Sequence, residues 1–294
     1  MLKRSILIEN KATISSRNLQ LVIKTEARET TIPIEDIGFL VIDNSEVYLS
    51  MNSMNLLVEN NVALIICGKN HLPNGMFLNL NSHHIQQEVF KQQLDASVPL
   101  KKQLWQQTII EKITNQGLLL SKITEKNNPL DYFASRVLSG DTTNMEAAAA
   151  SHYWKAFFEF NFKRERFGDY PNNFLNYGYA ILRAATARAL SGSGLLNTLG
   201  IHHKNKYNAF ALADDIMEPF RPLVDEKVSE IIQQYEEQEL NTKIKAELLQ
   251  ILSRTVYFKD EKSTLMIALQ KTASSLRQCY YGDRKKINYP RLWN

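Results

Sequence analysis

The chain has 294 residues, of which 44% are hydrophobic, and its formal net charge is +4. This composition supports one large or two modest folded domains and excludes an intrinsically disordered chain. No apolar run reaches the roughly 18 residues that a membrane span needs, and the N-terminus lacks a signal-peptide pattern. With only Cys67 and Cys279, we expect a cytoplasmic protein with no membrane partner and no disulfide framework.

The charge is distributed unevenly along the chain. Residues 1–95 contain 8 Lys and Arg against 10 Asp and Glu, whereas residues 96–294 contain 27 against 21. A polyanionic partner such as DNA would therefore prefer the second part of the chain. Chance variation of a solvated surface is the alternative explanation.

Residues 1–85 are predicted to form a small β-rich domain, because short β-branched or alternating runs are separated by polar breaks. A helical pattern at residues 50–60 interrupts them. The run Val62–Cys67 is continuously apolar, which is typical of a strand buried on both faces. The predicted strands are 5–9, 19–24, 30–34, 37–42, 62–67 and 76–80.

Residues 86–294 are predicted to form a larger all-α domain, since Gln, Lys, Leu and Glu become frequent from Gln86 onwards. We place the boundary between about 82 and 98, where Pro99 also marks a break. The fold class is therefore α+β, with a β-sandwich-like domain before the helices. The predicted helices are 100–125, 130–138, 144–165, 173–192, 209–217, 219–238, 243–255 and 263–280.

Glu146 has two interpretations. With Thr143 as the N-cap, Glu146 would close a capping box. At helical spacing, however, it shares an apolar face with Ala150, Tyr153 and Phe157. A carboxylate that packs inward needs a partner, and a metal ion is one candidate.

The adjacent His202 and His203 lie in a polar segment. Histidines in such a loop are usually exposed and without function unless a second ligand lies near them in space. Imidazole nitrogen binds transition metals and tolerates Mn²⁺ beside carboxylates. The pair is therefore a candidate only together with other ligands.

Asp214, Asp215 and Glu218 could supply those ligands, because their helical spacing lets two carboxylates point the same way. A divalent cation would relieve the repulsion between them. Pro219 predicts a kink here or the start of a new helix. The alternative is an acidic first turn that stabilises the following helix dipole.

Other features carry weaker signals. Lys163 and Arg164 end the predicted helix that Glu146 begins, and Arg183 lies on the next one, so all three are candidates for DNA phosphates. Solvated helix ends and exposed arginines are the common alternative. The sequence contains no P-loop, dinucleotide fingerprint, H-E-x-x-H or G-x-S-x-G. Nucleotide hydrolysis, hydride transfer and acyl transfer therefore lack support.

Three segments of the chain form a recognisable set. They are Gly140–Ala147 (GDTTNMEA), Asn176–Leu182 (NYGYAIL), and Gly200–His203 (GIHH) followed by Leu212–Pro222 (LADDIMEPFRP). Together they resemble the CRISPR-associated integrase family that captures new spacers. The sequence of the third segment is close to that of members from type II systems, and the order of the two predicted domains also matches.

This resemblance implies a metal-dependent DNA endonuclease and integrase that joins 3′-hydroxyl ends of short DNA duplexes to a CRISPR repeat by transesterification. By motif position, the catalytic metal ligands fall on Glu146, His203 and Glu218. Asp215 lies where the family often has another acid, so it is either a ligand or a group that orients one. Members often carry Asp at the position of Glu218, and either acid binds the implied Mg²⁺ or Mn²⁺. Lys204 and Arg221 join the candidates for DNA contact because they are close to these positions in the sequence.

The resemblance also implies an assembly. Two homodimers, formed through the β-rich domain, flank a dimer of a small ferredoxin-like adaptation protein in a heterohexamer, and type II effector machinery is a further expected partner.

Without the resemblance, the residues are also compatible with two other functions. One is a non-catalytic helical DNA-binding or scaffold protein whose acids only cap helices, and the other is a metal-dependent phosphohydrolase of small nucleotides.

Overall fold

The strands of the first part form two sheets. The computed structural model describes residues 3–79, 83–124, 128–158, 162–165 and 168–293. One sheet has the strand order β1-β5-β7-β8 and the other β4-β3-β2-β6. The strands are β1 (Arg4–Ile8), β2 (Ala12–Arg17), β3 (Gln20–Lys24), β4 (Glu29–Pro33), β5 (Ile37–Ile42), β6 (Val47–Leu49), β7 (Ala63–Cys67) and β8 (Pro73–Phe77), with helix α1 (Met51–Glu59) before β7.

The sheet that contains β5 is the middle layer of the protein. Side chains alternate across a strand, and in β5 they enter two different cores. Leu40 and Ile42 pack towards the second sheet, whereas Phe39 and Val41 pack against the helices. Every residue of β5 is buried as a result, which explains its unbroken apolar sequence.

Helices make up most of the second part. A two-stranded antiparallel hairpin precedes the last helix, with β9 at Thr255–Tyr257 and β10 at Lys262–Thr264. The helices are α2 (Gln86–Asp95), α3 (Val98–Thr124), α4 (Leu130–Ser135), α5 (Met145–Phe157), α6 (Asn172–Gly192), α7 (Ala211–Met217), α8 (Arg221–Gln234), α9 (Thr242–Leu249) and α10 (Leu265–Tyr281).

Close packing of α6 and α8 depends on Gly178, in the middle of α6. A Cβ atom at this position would lie 2.5 Å from Cγ1 of Val224 on α8. Since real side chains do not approach so closely, the glycine leaves room for the Val224 side chain to pack directly against the backbone of α6. This contact brings the neighbouring Tyr179 against α8.

A buried ion-pair cluster connects the β-rich part to α9. The ammonium of Lys245 lies 2.6 Å from Oδ2 of Asp43 and 3.0 Å from Oε1 of Glu9. Nδ1 of His71 lies 2.9 Å from the other oxygen of Asp43. On α6, Arg188 donates to the backbone oxygen of Asn61 at 2.6 Å. Arg188 thus also connects the two parts of the chain.

The α+β fold class with a β-rich first part and a largely helical second part is confirmed. The short strands β2, β6, β9 and β10 were not predicted, and the helix predicted at 144–165 ends at Phe157. Predicted ends at residues 80 and 125, and residues 159–161 within that helix, lie outside the described residues. The boundary at residue 85 stays a prediction. None of the described helices combines the length and apolar character that a membrane crossing requires.

Candidate active site

Glu146 is the second residue of α5, and the start of this helix is fixed by Asp141. The Asp141 carboxylate accepts the backbone N–H of Met145 at 2.9 Å and that of Glu146 at 3.0 Å. Asn144 occupies the N-cap in a left-handed conformation and makes no side-chain cap. The capping box with Thr143 is therefore wrong, and the Glu146 carboxylate is free for another partner.

That partner is Lys112, on the buried face of α3. Its ammonium lies 2.5 Å from Oε1 of Glu146 and 2.6 Å from Oε2 of Glu218. Burial lowers the pKa of Lys112, but the negative charges of Glu218 and Glu146 outweigh it and raise the pKa overall. A charged ammonium, only 8% exposed, thus joins two carboxylates from separate elements.

Glu218 begins a 3-10 turn, Glu218–Phe220, between α7 and α8. This is the break that Pro219 predicted, and Asn115 on α3 fixes it by donating to the Pro219 carbonyl at 2.8 Å. Glu218 is 4% exposed, and its Oε1 lies 2.8 Å from Nε of Arg221. Burial raises the pKa of Glu218, but Arg221 and Lys112 lower it more, so it falls below its ordinary value.

The second oxygen of Glu218 is paired with a cation. Its Oε2 lies 2.6 Å from the Lys112 ammonium, and this contact contributes to the lowered pKa of Glu218. A buried carboxylate oxygen that already pairs with a cation is a suitable ligand for a metal ion.

The histidine loop is organised around Asp215, which is fully buried. Its Oδ2 accepts the backbone N–H of Ile201 at 2.7 Å and of His202 at 2.9 Å, and its Oδ1 lies 2.5 Å from Nδ1 of His203. Gly200 makes this turn possible. A Cβ there would lie 2.6 Å from the His203 carbonyl oxygen and 2.8 Å from Asp215 Oδ2, so a larger residue would displace the loop.

The two histidines have different environments. The ring of His202 stacks on Trp105 of α3, with centroids 4.1 Å apart and planes 3° from parallel, and burial lowers its pKa. The pKa of His203 is raised, mainly by its hydrogen bond to Asp215, with a contribution from the charge of Glu218. The ring of His203 is therefore hydrogen-bonded to a carboxylate, whereas the ring of His202 is stacked on Trp105 and is affected only through space by the charges of Asp215 and Glu146.

The structure brings some of the predicted ligands together and leaves others apart. Glu146 and Glu218 meet at one ammonium, and His203 lies close enough to sense the charge of Glu218. Within the described ranges, however, no three His, Cys, Asp or Glu side chains form a group that could hold a metal ion. Asp214 turns to Arg183 instead, with Nε–Oδ1 and Nη2–Oδ2 distances of 2.6 and 3.0 Å.

A second buried network lies behind the carboxylates. Asp225 on α8 accepts a short hydrogen bond from the Tyr179 hydroxyl and one of 2.8 Å from Tyr153. The guanidinium of Arg221 covers the Tyr179 ring at 4.6 Å, and that of Arg164 lies 5.2 Å from the same ring. Burial raises the pKa of Asp225 to about 6, against the opposing effect of both hydroxyls and both guanidiniums.

Two basic depressions flank these residues. Arg164, Arg183 and Arg221 line a pocket of about 520 Å³, with Tyr179 in its wall. A cleft of about 960 Å³ on the side of His203 is lined by the lysines at 101, 102, 204 and 206. Lys163 points elsewhere, since it is exposed and pairs with Glu165 at 2.9 Å.

The sequence interpretation missed Lys112, Trp105, Asp141 and Asp225. Lys112 had a detectable signal, because it shares a face of α3 with Trp105 and with the polar Thr108 and Asn115. A charged residue on an otherwise buried helical face needs a partner of opposite charge. Nothing local identifies that partner.

Solved structures share this fold. A casposase bound to integration product superimposes with a TM-score of 0.80 at 20% identity, covering 97% of this chain and 92% of that one. A Cas1 protein from Thermotoga maritima gives a TM-score of 0.74 at 16% identity, covering 95% and 97%. A Cas6-RT-Cas1–Cas2 complex gives 0.75 at 20% identity, covering 99% of this chain and 36% of that one. The class of fold is that of Cas1 and casposase proteins.

Sequence comparison gives the family. The family model described as CRISPR associated protein Cas1 matches residues 6–263. The CRISPR-associated endonuclease Cas1 of Neisseria meningitidis serogroup C (strain 8013) is 37% identical over 277 residues, which is 93% of this chain and 91% of that protein. This chain therefore belongs to the Cas1 family, and the predicted resemblance is confirmed.

Proposed function

We propose that this protein is a metal-dependent DNA integrase that joins the 3′-hydroxyl ends of short DNA duplexes to a CRISPR array by transesterification. The observation that carries the proposal is the meeting of Glu146 and Glu218 at one cationic group, next to two basic depressions. Membership of the Cas1 family and the fold shared with a casposase support it.

Glu146, Glu218 and His203 are the proposed metal ligands. Their donor set of two carboxylates and one imidazole suits Mg²⁺ or Mn²⁺. Oε2 of Glu218 and Oε1 of Glu146 already face one cationic group, the Lys112 ammonium, and so suit a cation. Asp215 is proposed to orient His203 rather than to bind the metal, since four hydrogen-bond contacts already engage its two oxygens. Its bond to Nδ1 leaves Nε2 of His203 for coordination.

When bound, a divalent ion would lower the pKa of the attacking hydroxyl and would neutralise the charge that builds up at the phosphate. The chain itself contributes the positions of the reacting groups. Asp215 holds the His203 ring, Asn115 holds the turn that presents Glu218, and Asp141 holds the start of α5 that presents Glu146. No covalent protein nucleophile is needed for this reaction.

The basic depressions are proposed to bind the DNA backbone. Arg221 pairs with Glu218, and Arg183 pairs with Asp214. Each ion pair engages part of the guanidinium and orients the remaining N–H groups. With Arg164 they form a site of suitable charge for a phosphate. Lys204 adds positive charge on the side of His203. Lys163 is proposed to contribute only as a solvated charge near this surface.

The assembly and location are also proposals. The solved structure of a Cas6-RT-Cas1–Cas2 complex supports a Cas2 partner. That this partner is small and ferredoxin-like, and that two homodimers of this chain complete a heterohexamer with it, follows from the resemblance alone. Dimer formation through the β-rich part would cover its strand edges. A link to type II effector machinery and a cytoplasmic location follow from the resemblance alone.

A joining assay on branched DNA tests the function. Purified protein with Mn²⁺ should convert the branched substrate into joined product, and EDTA should abolish the product. Glu146→Ala should abolish joining while DNA binding persists, because the basic surfaces stay intact. The matched control is Glu239→Ala, at an exposed position of a loop.

The products separate the competing functions. Salt-sensitive DNA binding without any metal-dependent product would identify a scaffold protein instead. Normal joining by folded Glu146→Ala protein would remove the proposed role of this residue.

A further inference from the structure

Lys112 is a lysine with an unusual location. Its side chain is 10% exposed, whereas Lys122, a salt-bridged lysine further along the same helix, is 52% exposed. The ammonium of Lys112 lies between carboxylates that come from α5 and from the turn before α8. Burying a charged lysine is costly unless its partners compensate, so the pairing needs a physical reason.

Charge balance gives that reason. Glu146 and Glu218 contribute two negative charges, which Lys112 and Arg221 match with two positive ones. Without Lys112, two carboxylates would face each other with one guanidinium on one side only, and like charges would drive them apart. Lys112 therefore keeps the two carboxylates together when no metal is bound.

The same position is the one that a shared divalent cation would need. An ammonium and a divalent cation repel each other, and both cannot lie between the same two oxygens. A metal ion that binds both oxygens must therefore displace the ammonium from Oε2 of Glu218 and from Oε1 of Glu146, which lie 2.6 and 2.5 Å from it.

We propose that Lys112 is a positioning residue that substitutes for the metal. It holds Glu146 and Glu218 in place in the metal-free protein, and the divalent cation displaces its ammonium on binding. The ammonium keeps the two carboxylates close together, but the metal must compete with it for the same oxygens, so Lys112 lowers the affinity of the site for the metal. This inference rests on the proposed function, because it requires that the two glutamates bind a cation.

Titration with Mn²⁺ alone tests the proposal, by calorimetry on the full chain and by thermal unfolding in EDTA and in Mn²⁺. Lys112→Met should bind Mn²⁺ about tenfold or more tightly than wild type, which corresponds to 1.4 kcal/mol or more. It should unfold at a lower temperature in EDTA and regain most of the loss in Mn²⁺. Lys122→Met is the matched control, since Lys122 pairs with Glu226 instead, and its Mn²⁺ affinity should equal that of wild type.

Each other outcome is decisive. Equal or weaker Mn²⁺ binding by Lys112→Met would overturn the proposal. If this variant does not fold in EDTA, folding on addition of Mn²⁺ supports the proposal, and continued failure to fold overturns it. A wild-type protein that binds no Mn²⁺ removes the proposed function and this inference together, whereas wild-type binding with an unchanged constant in Lys112→Met removes the inference alone.

Discussion

Asp215 holds the imidazole of His203 with its Oδ1 only 2.5 Å from Nδ1. The same carboxylate accepts backbone N–H groups from the turn that carries the histidine. One fully buried acid therefore fixes both the ring and its loop. A carboxylate that is hydrogen-bonded to a metal-binding histidine has this role in general. It fixes the orientation of the ring and determines which ring nitrogen is left for the metal.

Asp215→Asn should impair the site without unfolding the protein. The amide keeps one acceptor oxygen for the loop but loses the charge that orients His203. We expect a loss of about 10–100-fold in Mn²⁺ affinity or joining rate, measured by calorimetry and by the branched-DNA assay. Asp214→Asn is the matched comparison, because it breaks only the pairing with Arg183 and Asn208, and its Mn²⁺ affinity should not change. Equal effects of the two substitutions would contradict the assigned role of Asp215.

Gly200→Ala should disturb the same loop through its backbone. The new methyl group would meet the His203 carbonyl and the Asp215 carboxylate, and such overpacking typically costs about 1–3 kcal/mol. Gly75→Ala is the control, since no atom lies within 4 Å of its added Cβ. Urea unfolding measures both variants. A Gly200→Ala protein as stable and as active as Gly75→Ala would show that the loop adapts freely.

Lys245→Met should destabilise the connection between the β-rich part and α9. It leaves Asp43 and Glu9 without their ammonium in a buried location, and breaking a buried pair in this way costs about 3–5 kcal/mol. Lys271→Met removes a partly exposed partner of Glu261 and should cost about 1 kcal/mol or less. Similar unfolding midpoints for the two variants would argue against a buried ion pair at Asp43.

Ionisation of Asp225 should make stability depend on pH. Its folded-state pKa of about 6 lies above the reference value of 3.8. The protonated form therefore favours folding, and this contribution is fully present below about pH 4 and is lost as the pH rises through about 6. Asp225→Asn stays neutral, so the stability of wild type relative to this variant should fall by about 3 kcal/mol between roughly pH 4 and 7.

Urea unfolding at a series of pH values measures this difference. The exposed Asp260→Asn variant serves as the control, and its pH profile should parallel that of wild type. A parallel profile for Asp225→Asn as well would mean that Asp225 titrates normally in the folded protein.

Local patterns were sufficient for the order of elements but not for every strand. The apolar run Val62–Cys67 predicts a strand buried on both faces, and residues 63–65 of β7 are buried, although Ile66 is exposed. The strand that is buried along its whole length is Ile37–Ile42, which was predicted only as a strand. In contrast, β2 (Ala12–Arg17) ends in two serines and an arginine, and β9 has three residues. Such strands are stabilised by pairing with neighbouring strands, and their own residues have little preference for β-structure. Local sequence patterns therefore do not predict them.

The site was partly predictable for a related reason. Glu146, His203 and Glu218 stand in recognisable segments, so their motifs pointed to them. Lys112 is distant in sequence from both of its carboxylate partners. Asp225 is separated by 72 residues from Tyr153 and by 46 from Tyr179. Pairings of this kind arise from helix packing, including the close contact at Gly178, and no local pattern encodes them.

Glu146 and Glu218 are proposed to share one divalent cation with His203. Crystals of the protein soaked in Mn²⁺, with data collected to locate manganese by its anomalous scattering, test it most directly. We predict one manganese peak in contact with both carboxylates and the His203 imidazole, with the Lys112 ammonium withdrawn from between the glutamates. A peak bound to neither glutamate, or no peak beside an undisturbed Lys112 bridge, would contradict the claim.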